Sequence, residues 1–193
     1  MWVWAGSFSA GRCRRSLKLL TGVLCLAALP HPLAARVFMK QEEALSRAFP
    51  APARVERKTL FLDQGRAAKI ERESRERLPG RIVTYYVGIG KEGTLGYAYF
   101  DSHRVRTLPE TIMVLVTPKG TVSRVSILSF SEPEDYLPRE AWLDQFAGRG
   151  LDSDLAMRRG IHNLTGASLS AVAITSACRR ILAIHRVVRE EER

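Results

Sequence analysis

The middle of the chain carries the pattern that decides the fold, in the stretch RIVTYYVGIGKEGTLGYAYF at residues 81–100. Its β-branched and aromatic residues favour extended strands. Strands of this kind follow one another with turn residues between them, at 81–88, 95–100, 110–117 and 121–130. The last two are joined by Pro118-Lys119-Gly120, a tripeptide typical of a tight hairpin turn. The centre of the chain is therefore predicted to be an antiparallel meander of at least four strands.

Helices are predicted on both sides of this meander. The segments before it are a helix at 37–49, a strand at 59–62 and a helix at 64–77. The segments after it are a short helix at 139–147 and a long amphipathic helix at 168–188, in which apolar residues recur at helical spacing. Consecutive strands with helices outside them indicate the α+β class. We expect an antiparallel meander flanked by helices, with a long C-terminal helix that starts at the TGAS turn, 165–168.

Residues 1–35 have the composition of a targeting segment. A basic stretch that ends at Lys18 precedes an apolar run over 19–29, and a proline and small residues follow. The run is too short to span a bilayer comfortably, which favours a cleaved signal peptide over a retained anchor or a buried helix. We expect an extracytoplasmic (periplasmic) protein. Its predicted parts are the signal or anchor at 1–35, an N-terminal helical and linker region at 36–79, and one domain at 80–193.

The charge and the cysteines exclude several classes of function. Residues 1–35 hold four basic residues and no acid, so the rest of the chain carries a formal charge of +6 instead of +10. Its basic residues alternate with acids, as at 72–77, which indicates a solvated helix face, and no nucleic-acid partner is expected. Cys178 is the one cysteine after residue 35, and no spacing typical of a zinc or haem site is present.

The turn before the last helix places a glycine between two hydroxyl side chains. Gly166 allows a backbone or a ligand to approach closely, and Thr165 and Ser168 stand on either side of it. The first N–H groups of a helix have no partner within the helix, so a phosphate can bind there. Serine and threonine are also the preferred caps of helices in general. The residues by themselves leave both roles open and favour the cap.

The sequence Thr165-Gly166-Ala167-Ser168, followed by Leu169, resembles the flavinylation motif of the FMN-binding domain family. This family includes the C subunit of the sodium-pumping NADH:quinone oxidoreductase, the G subunit of the Rnf complex and small exported FMN-binding proteins. Further segments are similar to those of the family and follow in the same order, at 96–103, 108–111, 131–134 and 142–148. The resemblance extends over about residues 80–188.

The resemblance implies that a flavin transferase esterifies Ser168 to the phosphate of FMN. The neighbouring residues would then contact that phosphate: Thr165, Gly166, Ala167 and Leu169. It further implies an electron-transfer flavoprotein that serves a membrane redox complex, with no catalytic side chain of its own, rather than an enzyme with its own substrate. His162 stands where the family has aspartate, and serine replaces the commoner threonine at the acceptor. Non-covalent FMN at the same place and a flavin-free protein that kept the fold are the alternatives.

Three side chains outside the turn are further candidates for flavin contacts. His103, expected just after a strand, could hydrogen-bond the flavin ring or carry a proton, and a surface-loop histidine is an equally open alternative. Glu132 is expected, from the resemblance, to face the ribityl chain. Trp142 lies four residues before Phe146, and this pair is expected either beside the flavin or in the core. His185 is expected to be a partly exposed packing residue of the last helix.

Overall fold

The computed structural model describes residues 36–192, which form a six-stranded antiparallel sheet with helices on both faces. The strands are β1 Arg36–Val37, β2 Arg54–Phe61, β3 Ile82–Gly90, β4 Gly93–Arg104, β5 Pro109–Val116 and β6 Val122–Phe130. Their order across the sheet is β1-β6-β5-β4-β3-β2, so the strands from β2 to β6 form a meander. The predicted α+β fold is confirmed. The predicted targeting segment, 1–35, lies outside the described residues.

Four helices complete the fold. They are α1 Gln41–Ala48, α2 Gln64–Ser74, α3 Glu140–Leu143 and α4 Ser168–Glu191. Short 3₁₀ turns occupy Glu134–Tyr136 and Asp144–Phe146, so the predicted helix at 139–147 is a single α-turn that continues as a 3₁₀ turn. Helices α2 and α4 pack against each other on one face of the sheet.

The two faces of the sheet carry separate hydrophobic cores. Tyr97 and Tyr99 of β4 belong to the larger core under α4, whereas Ala98 between them belongs to a smaller core under α1. This division follows from the alternation of side chains along a strand. A 24-residue helix covers the first face and an eight-residue helix covers part of the second.

The largest differences between the observed and the predicted element boundaries occur at three places. Arg36 and Val37 pair with β6, which delays the start of the first helix to Gln41. Strand β2 begins at Arg54 rather than residue 59, because its first residues, most of them charged, pair with β3 in the same way as its apolar ones. Strand β4 continues to Arg104, so His103 lies within a strand instead of after one.

Residues 36–79 are an integral part of the sheet and its helical layer. Strand β2 forms one edge of the sheet through eight paired residues, and α2 contributes the buried Ile70 to the larger core. Residues 36–192 belong to one compact unit. The structure therefore places no domain boundary at residue 80.

Helix α4 is the central element of the larger core. Glu192 follows its last residue and ties this end of the helix to the sheet. The Glu192 carboxylate accepts a hydrogen bond from the Tyr97 hydroxyl at 2.6 Å and forms an ion pair with Lys58 at 2.9 Å. Thirteen of its residues are buried, and four arginines are distributed along it. Among residues 36–192, no helix combines the length and the apolar character needed to span a membrane.

His185 lies in the interior of this core. The expectation of partial exposure is wrong, since its side chain is fully buried between α4 and the sheet. Its Nδ1 is 2.8 Å from the hydroxyl of Tyr99, and its Nε2 has no partner among the described residues. Burial, with a smaller contribution from Arg189, lowers the pKa of His185 from 6.5 to about 4.

Acidification is expected to destabilise the protein through His185. The unfolded chain binds a proton at this histidine below pH 6.5, whereas the folded protein binds it only near its pKa of about 4. The contribution of neutral His185 to the free energy of unfolding is therefore complete above pH 6.5. It is lost as the pH falls toward 4, by about 1.4 kcal/mol per pH unit. Urea denaturation at several pH values across this range measures the slope. His185→Gln should remove this slope, and His162→Gln, at an exposed position, should retain it.

Candidate functional site

The start of α4 is the best-defined feature of the candidate site. The helix begins at Ser168, as predicted, but its N-cap residue is Ala167 and no side chain caps it. The Ser168 hydroxyl is on an exposed residue and donates a long hydrogen bond, 3.4 Å, to the carbonyl of Leu164. The expectation that a hydroxyl of the turn caps the helix is therefore wrong.

The uncapped first turn presents backbone amides. The first hydrogen bond of the helix runs from the N–H of Ala171 to the carbonyl of Ala167 at 3.1 Å, so the amides of 168–170 precede it. Amides in this position have no carbonyl partner within the helix. Together with the helix dipole they create partial positive charge, which makes this turn suitable for binding an anion.

Gly166 gives the turn its shape. Its φ of +84° lies in the left-handed region, which favours glycine. A Cβ at this position would meet nothing within 4 Å, so the space beside the turn is open. The glycine is required by the backbone conformation and not by crowding, and the turn leaves room for a group to approach the helix start.

A pocket of about 200 Å³ lies between this turn and the loop that joins β4 to β5. Its lining residues are Val105, Arg106, Glu132, Tyr136, Gly166, Ala167, Ser168, Leu169 and Ser170. Five of the predicted residues thus meet here. Thr165 belongs to the same turn and is exposed, but it does not line the pocket.

Glu132 holds the opposite wall of the pocket in place. Its Oε1 accepts hydrogen bonds from the amides of Thr107 and Leu108 at 2.7 and 2.8 Å, and a longer one from Arg106. These bonds, with the Thr107 amide first, lower the pKa of Glu132 below its ordinary value. The carboxylate lines the pocket, but one of its oxygens is occupied by the 106–108 loop.

Removal of the Glu132 carboxylate should loosen this loop. In Glu132→Ala three amides lose their charged acceptor, and we expect a loss of about 2 kcal/mol in the free energy of unfolding. Amide hydrogen exchange at 106–108 should accelerate, while exchange within β5 should not. Glu134→Ala, which changes an exposed carboxylate two residues away, is the matched control. Unchanged exchange at 106–108 would show that Glu132 does not hold the loop.

Trp142 does not line the pocket and belongs, with Phe146, to the larger core. Its indole Nε1–H donates to the carbonyl of His162 at 2.9 Å, and its ring packs edge-on against Phe146 at 5.4 Å. The amide of His162 donates to Gln145 Oε1 at 2.7 Å. These bonds tie α3 and the 3₁₀ turn that follows it to His162, six residues before the start of α4.

His103 also lies outside the pocket, in a partly buried cluster on the α4 face of the sheet. Its Nδ1 is 2.8 Å from Asp101 Oδ1, and its Nε2 is 3.1 Å from Glu110 Oε2. Asp101 pairs in turn with Arg180 of α4 at 2.6 Å. Burial lowers the pKa of His103, but the hydrogen bonds and charges of Asp101 and Glu110 outweigh burial and raise it to about 9.

Asp101, Glu110 and Arg180 were absent from the residues predicted for the site. Period-two alternation places Asp101 and His103 on the same face as Tyr99, so this pair was accessible to sequence reasoning. Glu110 reaches the cluster through the pairing of β5 with β4, and Arg180 through the packing of α4. Neither carries a local signal of this role.

A larger groove of about 630 Å³ lies between α1, β6 and α3. None of the residues predicted for the site lines it.

Within residues 36–192, no group of three or more histidine, cysteine, aspartate or glutamate side chains is arranged to hold a metal ion. The pocket at the start of α4 is therefore the place where predicted residues and a helix start without a side-chain cap coincide. Comparison of the chain with protein-family models, with curated proteins and with solved structures found no match.

Proposed function

We propose that this chain is an exported flavoprotein that transfers electrons, with the phosphate of FMN held at the start of α4 and esterified to Ser168. One observation carries the proposal: the first turn of α4 has no side-chain cap, and the exposed Ser168 lies in it beside a pocket. An uncapped helix start leaves amides for a phosphate, and a serine hydroxyl can form the ester. The resemblance of the turn to the flavinylation motif supplies the identity of the ligand.

The charges around the pocket suit a phosphate diester. Such a group carries one negative charge, which the amides of 168–170 and the side chain of Arg106 would balance. The carboxylate of Glu132 also lines the pocket, but the 106–108 amides already hold one of its oxygens. Ser168 is in this proposal a point of attachment, and no side chain acts as a nucleophile during electron transfer.

The size of the pocket limits how much of the ligand it can enclose. Pockets that enclose a whole ligand measure about 300–1,000 Å³, and this one measures about 200 Å³. It fits the phosphate and part of the ribityl chain. The exposed side chains of Leu169 and Val172, one helical turn apart, provide an apolar surface for an aromatic ring. The flavin supplies the redox chemistry, while the protein binds and orients it.

The proposal includes a flavin transferase and a membrane redox complex as partners, in an extracytoplasmic compartment. Two alternatives differ from it in chemistry. In one, FMN binds at the same seat without a covalent bond, because His162 replaces the aspartate of the family motif. In the other, the protein binds no flavin and the turn is a structural feature only.

Loading of the protein with flavin distinguishes covalent FMN, non-covalent FMN and a flavin-free protein. The chain is expressed with and without a flavin transferase, and its intact mass, visible spectrum and released flavin after denaturation are measured. The proposal expects a yellow protein whose mass includes one FMN, and only when the transferase is present. Flavin that is released on denaturation would establish the non-covalent alternative. A colourless protein of unmodified mass, which also takes up no added FMN, would eliminate the flavin function.

A further inference from the structure

The outer edge of strand β6 is only partly covered. β1 pairs with it at 129–130, and the residues after β1 continue this contact to the carbonyl of Leu128. At the other end, Val122 exchanges two hydrogen bonds of 2.8 Å with 148–149. Between these contacts, nothing among the described residues pairs with the outer backbone edge of 123–127. Alternate residues of a strand direct their N–H and C=O groups to the same side, so this edge gap holds open backbone donors and acceptors.

The groove of about 630 Å³ runs along the edge gap. All five residues of 123–127 line it, together with Ala44 and Met113 of the smaller core and Leu143 of the larger core. A groove that is lined by consecutive strand residues and by both cores lies along the edge of the sheet and not over one of its faces. Its volume is in the range of about 300–1,000 Å³ that is typical of pockets which enclose a ligand.

The opposite edge of the sheet is protected against the addition of a strand. Strand β2 forms this edge, and four of its eight residues are charged. Charged side chains on an edge strand prevent another strand from pairing with it. The edge gap contains one charged residue, Arg124, with a valine, an isoleucine and two serines. It therefore lacks the protection that β2 has.

The two ends of the edge gap decide what can enter it. β1 and the residues after it close one end, and 148–149 close the other, so the gap is five residues long, about 17 Å of extended chain. A second copy of this chain does not fit, because its own β1 and 148–149 project from the edge that would have to pair. A single extended segment, such as a chain end or a loop, meets no such obstacle.

The charged side chains of the groove favour an acidic segment. Arg47, Arg124 and Glu140 line it, so two cations and one anion give a net charge of +1. Arg124 and Glu140 are both exposed and lie 3.9 Å apart, and exposed ion pairs of this kind contribute little to stability. Arg47 pairs with Glu43 of its own helix and is also exposed. A carboxylate of an incoming segment can therefore replace Glu140 beside Arg124 with little loss of stability.

We infer that the edge gap is a docking site for an extended, acidic segment of a partner protein, which adds to the sheet as a short strand beside β6. The backbone of this segment hydrogen-bonds the outward groups of 123–127, and its alternate apolar side chains enter the groove. Its carboxylates lie beside Arg124 and Arg47. The inference is independent of the flavin proposal, since no residue of the groove lines the pocket at the start of α4.

Peptide titration of the full-length protein tests the docking site. The probe is a blocked peptide in which valine alternates with glutamate, and the control peptide has the same composition with its valines consecutive. The backbone amides of the protein are followed by NMR. We expect chemical-shift changes and slower hydrogen exchange at 123–127 with the probe alone, and none at the start of α4. No change at 123–127 up to the solubility limit of the probe would overturn the inference.

Methylation of the peptide amides tests the strand pairing. Only alternate amides of an added strand donate to β6. Methylation of one alternate set should therefore weaken binding by about tenfold or more, and methylation of the other set should leave it unchanged. Equal effects of the two sets would contradict the addition of a strand, even for a peptide that binds.

Substitutions in the groove complete the test. Ala48→Arg places a long side chain in the groove and should weaken binding by about tenfold or more, whereas Ser46→Arg, on the same helix outside the groove, should not. Arg124→Glu should bind a probe with lysine in place of glutamate better than the original one. Urea denaturation verifies that each variant is folded. Binding that appears only after removal of residues 1–35, or a dimer of this chain that the probe dissociates, would assign the edge gap to another occupant and refute the inference.

Discussion

Replacement of Ser168 by alanine should yield a stable protein that carries no covalent flavin at all. Ser168 is exposed in the first turn of α4, and its hydroxyl makes one long hydrogen bond to Leu164, so the fold depends little on it. Alanine is the best helix former, and we expect a stability change within about 0.5 kcal/mol. The ester, in contrast, has no other oxygen to form on in this position, so its loss is complete. Intact mass after expression with a flavin transferase measures the effect.

Two variants of the same turn serve as controls. Ser168→Thr keeps a hydroxyl at the same place and should keep the covalent flavin. Thr165→Ala removes the other hydroxyl of the turn, which does not line the pocket, and should keep it as well. An adduct that survives in Ser168→Ala and disappears in Thr165→Ala would move the attachment to Thr165. FMN added to Ser168→Ala should still bind reversibly, since the amides of 168–170 are unchanged.

Replacement of Gly88 by alanine should destabilise the protein by about 3 kcal/mol or more. Gly88 of β3 faces Gly96 of β4 across the sheet, and the ring of Phe49 lies over both glycines. A Cβ on Gly88 would stand 2.1 Å from Cδ1 of Phe49, which real contacts do not allow. Phe49 is 4% exposed in the smaller core under α1, so its ring has no free space to enter. Urea denaturation gives the change in the free energy of unfolding.

A double-mutant cycle identifies the clash as the cause. Phe49→Ala should cost about 3–5 kcal/mol by itself, and Gly88→Ala should add little to it once the ring is gone. Gly80→Ala is the matched control, because a Cβ at Gly80 would meet nothing within 4 Å. If the two substitutions at 88 and 49 were simply additive, the contact between them would not be the reason for the loss.

The sequence predicted the fold where local patterns determine structure. Alternating β-branched and aromatic residues located the four central strands, and helical spacing located α4 with its first residue at Ser168. Strand β2 was underestimated, because its residues 54–59 are mainly charged and their pairing with β3 is a tertiary contact. The burial of His185 was not predicted for a related reason. Its ring can be buried because the hydroxyl of Tyr99, on strand β4, hydrogen-bonds it, and this is also a tertiary contact.

The residues of the site that are consecutive in the sequence were predictable, whereas those that other segments contribute were not. Gly166, Ala167, Ser168 and Leu169 are consecutive, so one motif located them together. Arg106 and Tyr136 reach the same pocket from two other segments, and nothing in their local sequence marks them. Trp142 was expected either beside the flavin or in the core, and it lies in the core, where its indole N–H donates to the carbonyl of His162. Glu132 was expected at the site, but its hydrogen bonds to the 106–108 loop were not expected.

The position of α4 at the end of the described residues has a consequence for the rate of folding. The contacts of α4 and of the residue after it join parts of the chain that are far apart, with a sequence separation of 86 from Tyr99 to His185 and of 134 from Lys58 to Glu192. Proteins dominated by such non-local contacts fold slowly, since loop closure precedes the stabilising contact. The hairpins can form early, but the sheet face under α4 stays exposed to water until this helix docks. We therefore expect the turn at Ser168 to reach its final position only when α4 docks, and the proposed flavin attachment to follow that step.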